Sequence, residues 1–205
     1  MTESRAFNYS KLFAADAPIS TRSENLHAKY DFAVAYPAPD TLPLNELIDS
    51  LKTAIDREGR DLAYYPSPLG LPALRQLVSE KLSRDRDIHV SAEEIVLTSG
   101  SGEAILMLIQ ALTNPGDVVL TEEYVYSGTL RQMKLFGSDV RSVPCDDNGF
   151  IPQALEDVIR KAESENKPIK YLYTIPCFQN PLGWTMSWTV ERKSLKSHAV
   201  TGFLY

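Results

Sequence analysis

Apolar residues recur along this chain with two different periods. Leu44, Leu47, Ile48, Leu51, Ala54 and Ile55 share one face at helical spacing. That spacing predicts a helix opened near Pro43 and stopped at Gly59. Leu71, Leu74, Leu77, Val78 and Leu82 form a second stripe after the Pro/Ser/Gly loop that ends at Gly70. From residue 91 the pattern changes. Short runs at Ile95–Thr98, Val118–Thr121, Val140–Pro144 and Tyr171–Ile175 alternate with helical stretches at Glu103–Leu112, Ser127–Phe136 and Gln153–Glu163. Turn residues at 114–117 and 146–149 separate them, and Gly137 closes the middle helix. Such alternation predicts an α/β fold with a mostly parallel sheet flanked by helices. In these sheets a ligand sits beyond the carboxyl ends of the strands.

The flanks are less regular. Residues 1–30 are weakly patterned and read as an N-terminal arm. Pro37, Pro39 and Pro43 mark the next stretch as loop. After Gly183 the periodicity fades. The expected organisation is residues 1–60 as arm and small-domain segment, and residues 61–205 as the larger α/β domain.

Composition narrows the function. A chain of 205 residues with 43% hydrophobic content can bury a real core. The net charge of −6 and the lack of a Lys/Arg cluster argue against nucleic acid as a partner. No apolar run reaches membrane-spanning length, and the N-terminus lacks a signal core, so no membrane and a cytoplasmic location are expected. Cys145 and Cys177, with His27, His89 and His198, show no metal-ligand spacing. No metal site is expected.

Candidate chemistry clusters at the strand ends. Ser99-Gly100-Ser101-Gly102 lies between an apolar run and a helix. A helix N-terminus with small residues favours an anion such as a phosphate, because free N–H groups and the helix dipole converge there. A plain turn explains this stretch equally well. A dinucleotide fingerprint would need glycine where Ile105 stands. The Gly-x-Ser-x-Gly spacing of a nucleophile elbow is also missing. Tyr126 follows the second strand and can stack on a flat aromatic ligand, or simply pack on a helix. Asn180, before Pro181, follows the fourth strand. Its amide can bind a phenolic oxygen or a carboxylate, or serve a turn.

Together these stretches resemble a known family. Thr98-Ser-Gly-Ser-Gly-Glu-Ala104, Tyr126-Ser-Gly-Thr-Leu130, Thr174-Ile-Pro-Cys-Phe-Gln-Asn-Pro-Leu-Gly183 and Tyr65-Pro-Ser-Pro-Leu-Gly-Leu-Pro-Ala-Leu-Arg75 are similar to class I/II aminotransferases of fold type I. The likeness is greatest to the aromatic, 2-aminoadipate and kynurenine branch and covers about residues 5–187. It implies a partial fold-type-I aminotransferase with pyridoxal 5′-phosphate (PLP) as cofactor. It further implies an amino acid and a 2-oxo acid as substrates, and a homodimer. By that resemblance Ser101 and Gly102 hold the phosphate and Tyr126 stacks on the pyridine ring. Asn180 bonds the phenolic oxygen. Tyr65 reaches the phosphate in the neighbouring subunit. Residues 31–43 grip the substrate, with Ala35 where the family usually has glycine.

The same resemblance places the Schiff-base lysine, the acid that pairs with the pyridine nitrogen and the substrate-gripping arginine beyond residue 205. Lys193 and Lys196 follow Asn180 too closely to serve, so no catalytic residue is assigned here. The chain is expected to be an incomplete enzyme, or an inactive truncated homologue that binds or dimerises. A general nucleotide-binding domain is the remaining alternative. In the resembled fold only the second and third strands of these four would be neighbours. Unpaired strand edges are then expected to make the isolated chain marginal or aggregation-prone.

Overall fold

The structure is a computed structural model that describes residues 12, 13, 29 and 37–193. Most of the expected arm over residues 1–30, with His27, Ala35, Lys196 and His198, lies outside the described residues. The chain divides into two compact units, Met1–Tyr65 and Pro66–Tyr205.

In the first unit a single 3-10 turn at Pro39–Thr41 leads into helix α1 (Leu44–Glu58). Pro43 is the N-cap of α1, one place earlier than the first turn, and Gly59 ends the helix at φ 54°. Leu44, Leu47, Ile48, Leu51 and Ile55 form the expected stripe, and all five are exposed.

The second unit begins with α2 (Pro72–Arg86) and a 3-10 turn at Ala92–Glu94. Buried Arg75 ties the two together by donating to the Ala92 carbonyl at 2.7 Å. Then come α3 (Ser101–Leu112), β1 (Val118–Glu122), α4 (Ser127–Leu135) and β2 (Asp139–Val143). A short antiparallel hairpin of β3 (Cys145–Asp146) and β4 (Gly149–Phe150) occupies the expected turn at 146–149. It leads to α5 (Pro152–Ser164) and β5 (Ile169–Tyr173).

β1 lies in the middle of a parallel sheet of order β2-β1-β5. All five of its residues are buried. Val118 and Leu120 point into a core with Leu155, Ile159 and Ala162 of α5. Val119 points the other way, to Ile109 of α3 and Met133 of α4. The Val118–Leu120 run is therefore apolar without alternation because helices cover both faces.

Two expectations are corrected. Ile95–Thr98 is not a strand of this sheet; it is extended, and the Leu97 N–H is bonded to the Leu69 carbonyl at 3.0 Å. The second and fourth expected strands are direct neighbours, since β5 pairs with β1 from Val118↔Ile169 to Thr121↔Tyr173. The reason lies in the helices. α4 and α5 pack on opposite faces, so the crossover after β2 carries the chain back past β1 to its free side. The stretch after Gly183 also contributes more than its weak pattern suggested. Met186 and Val190 are buried in the α5-side core, and residues 188–193 are helical.

A charge cluster ties the amino ends of the strands together. The Asp139 carboxylate of β2 accepts from Arg141 at 2.9 Å and from Lys167, just before β5, at 2.6 Å. Arg141 also pairs with Glu165. Hydrogen bonds from Arg141 and then Lys167 hold the Asp139 carboxyl below its usual range. Its stabilising contribution is complete above the unfolded-state value of about 3.9 and is lost as pH falls through the lowered folded value. Asp139→Asn should cost about 1 kcal/mol at neutral pH. The gap from the unaltered protein should close below the usual carboxylate range, as read by urea unfolding across pH.

Candidate functional site

The chain order turns back at β1. From β1 the connection through α4 runs to one side, and the later connection through α5 returns to the other. This reversal marks the expected ligand crevice of a parallel sheet, beyond the carboxyl ends of β1 and β5. Tyr126 stands four residues past the end of β1 and Asn180 seven past the end of β5.

The loop carrying Asn180 folds back on itself. Gln179 N–H donates to the Trp184 carbonyl at 2.8 Å, Gly183 N–H to the Gln179 carbonyl at 2.6 Å, and Met186 N–H to the Pro176 carbonyl at 2.7 Å. Asn180 therefore sits at the tip of a tight turn, exposed, with a cis bond to Pro181. The Gln179 amide group also donates to the Tyr124 carbonyl at 2.6 Å. The loops after β1 and β5 are thus joined beside both Tyr126 and Asn180.

Tyr126 is the N-cap of α4 and is half exposed. Its ring lies over Gly128: a Cβ at that position would stand 2.5 Å from the ring. The glycine gives the ring its seat, and the sequence reading passed over it.

Ser101 and Gly102 open α3, so this helix starts two residues earlier than Glu103. Gly100 precedes them at φ 86°, a conformation that favours glycine. No side chain caps this end. A Cβ at Gly100 or Gly102 would meet nothing within 4 Å, so the approach to the first-turn N–H groups is open. Glu103 reaches back to the Ser99 N–H, and Gln132 of α4 donates to the Gly102 carbonyl at 3.3 Å. The latter bond holds the α3 start against α4, the helix that Tyr126 begins. Ile105 packs on the α3/α4-side core, filling the place where a dinucleotide fingerprint needs glycine.

Tyr65 belongs to the first unit and is fully exposed. The loops after β1 and β5 thus carry Tyr126 and Asn180 at the same end of the sheet, and Gln132 ties Gly102 to α4, while Tyr65 belongs to the first unit. Burial pushes the Cys145 thiol up, which leaves it a poor nucleophile. Among the described residues no group of three or more His, Cys, Asp or Glu could hold a metal. No helix among them is long and apolar enough to cross a membrane.

Two further residues at the crevice were missed. Glu122, the last residue of β1, is 1% exposed, and Gln179 is 2% exposed. The available signal was an acid closing the apolar run Val118–Leu120, where it cannot be solvated and must find donors.

A strand-end crevice, an open glycine-lined helix start and an aromatic and an amide side chain on joined loops define a parallel α/β domain suited to a flat, anionic ligand. The family description "Aminotransferase class I and II" matches residues 35–188, and the chain belongs to that family. It is 32% identical over 151 residues to aromatic-amino-acid aminotransferase 1 of Thermococcus litoralis, covering 74% of this chain and 36% of that protein. It is 37% identical over 142 residues to the mitochondrial kynurenine/alpha-aminoadipate aminotransferase of Rattus norvegicus, covering 63% and 33%. Among solved structures, the kynurenine aminotransferase of Pyrococcus horikoshii superposes with a TM-score of 0.72 at 30% identity, covering 82% of this chain and 42% of that one. That structure is in complex with PMP, with KYN as substrate and KYA as product. The chain thus spans well under half the length of these proteins.

Gly128→Ala should separate the tyrosine from the fold. Alanine suits a helix better than glycine by about 1 kcal/mol, and the ring, not the backbone, must give way. Thermal stability should hold or rise slightly, while the Tyr126 ring resonances shift. Loss of stability with unmoved resonances would contradict this geometry.

Proposed function

We propose that this chain provides the coenzyme-binding part of an aminotransferase. Its substrates would be an aromatic or 2-aminoadipate-like amino acid and a 2-oxo acid, and its cofactor PLP. The observation that carries the proposal is the bond between the loops after β1 and β5, from the Gln179 amide to the Tyr124 carbonyl, beside Tyr126 and Asn180 and at the point where the chain order reverses. The relatives' names and the PMP in one of them, the aminated form of PLP, support the same reading.

The residues fit the group. The open start of α3 suits a phosphate, with Ser101 and Gly102 as donors and the helix dipole adding roughly 0.3–2 kcal/mol. The exposed Tyr126 face suits a pyridine ring, and the Asn180 amide suits its phenolic oxygen. When bound, PLP supplies an electron sink at the substrate α-carbon. What these residues do is hold and orient: Ser101 and Gly102 fix the anionic end, Tyr126 fixes the plane, and Asn180 keeps a donor at the phenolic oxygen. In this reading residues 1–60 supply the arm and small-domain segment, and residues 61–205 the cofactor domain. Tyr65, exposed on the first unit, would reach the phosphate held by a second copy in a homodimer.

The test is titration of the purified chain with PLP, followed by absorbance, then reduction with borohydride and mass measurement. Binding is expected. Tyr126→Leu should weaken it roughly 2- to 10-fold, the worth of one stacked ring. Asn180→Ala should weaken it by about the same, the worth of one hydrogen bond. Reduction is expected to leave no specific covalent adduct. A specific adduct would identify one. Failure to bind PLP, with tight binding of a nicotinamide dinucleotide instead, would overturn the proposal.

A further inference from the structure

We infer that Glu122 is a positioning residue that sets Asn180 in the crevice through Gln179. The inference rests on the coenzyme reading of the crevice.

Glu122 is buried at the point where β1 ends, and both of its carboxyl oxygens act as acceptors. Oε1 accepts from the Thr174 hydroxyl at 2.6 Å and the Ile175 N–H at 2.9 Å. Oε2 accepts from the Gln179 amide at 2.7 Å. The first two donors belong to the segment that leaves β5. The third belongs to the turn that carries Asn180. One side chain thus bridges the two strand exits and the turn.

The geometry also fixes which way the Gln179 amide faces. Its nitrogen donates to Glu122 and to the Tyr124 carbonyl, while its oxygen accepts from the Leu182 N–H at 2.8 Å. If it were flipped, its oxygen would face the Tyr124 carbonyl and its nitrogen the Leu182 N–H. Neither contact is attractive. Gln179 therefore has one orientation, and Glu122 is the acceptor it requires. Asn180 is bonded directly to this residue along the chain, and Leu182 closes the turn on its far side. An error at Glu122 is passed to the tip of the turn with no solvent to absorb it, because both members of the pair are buried.

Glu122→Gln tests this with almost no change in shape. The carboxamide oxygen can still serve Thr174 and Ile175, but its NH2 meets the Gln179 NH2, donor against donor. PLP affinity should fall by up to the Asn180→Ala loss, roughly 2- to 10-fold, and the long-wavelength absorbance of bound PLP should shift as the donor at its phenolic oxygen is misplaced. The same substitution made on top of Asn180→Ala should add little, since its effect runs through Asn180. Gln179→Met breaks the link from the turn side with Glu122 intact and should give the same affinity loss and the same non-additivity. Hydrogen exchange should rise at residues 179–183 and stay unchanged in β1.

Equal losses from Glu122→Gln with and without Asn180 would make Glu122 a structural residue only and overturn the inference. So would unchanged affinity in both variants. A wild-type chain that binds no PLP would instead overturn the coenzyme reading and this inference with it. The wild-type titration therefore distinguishes the two failures.

Discussion

β1 is enclosed: helices cover both its faces, β2 and β5 occupy both its edges, and even its last residue, Glu122, is buried. A polar side chain at that end has no water to turn to, so its partners must come from the loops that leave the neighbouring strands. Glu122 meets this demand by drawing in Thr174, Ile175 and Gln179. The loops are thus gathered over the strand ends by the need to satisfy one buried carboxyl. Tyr126 and Asn180 stand on the loops so gathered.

Much of the scaffold was legible because periodicity reports burial. The helical stretch expected at Gln153–Glu163 stands as α5, with Leu155 and Ile159 in the core and Val158 packed against it, and β1 and β2 stand within a residue or two of their apolar runs. What spacing does not encode is lateral order. Which strand lies beside β1 depends on which face each crossover helix covers, and a local window carries no record of that. Ile95–Thr98 shows a second limit. Its apolar run is real, but a strand is defined by a ladder partner, and the Leu97 N–H goes instead to a loop carbonyl at Leu69.

The candidate site was read from the sequence in a different way. Tyr126, Asn180, Ser101 and Gly102 could be proposed because each follows an apolar run or opens a helix, and position relative to a sheet edge is a property of order along the chain. Glu122, Gln179 and Gly128 could not. Their roles depend on contacts across 57 residues in one case and on ring placement in another. The weak stretch after Gly183 hid Met186 and Val190 for a similar reason. They reach the core as isolated anchors and leave no repeating pattern.

The two ends of the sheet are held by different forces. Asp139, Arg141, Lys167 and Glu165, with Lys170 near Asp117, form a partly exposed ionic lattice at the amino ends. The carboxyl ends are held by short, enclosed hydrogen bonds around Glu122. Mobile ions screen the first kind and barely reach the second. A concentrated neutral electrolyte should therefore slacken the base of the sheet while its mouth keeps its shape. Drift in sequence at the base can then adjust tolerance to salt or temperature without disturbing what the mouth is able to hold.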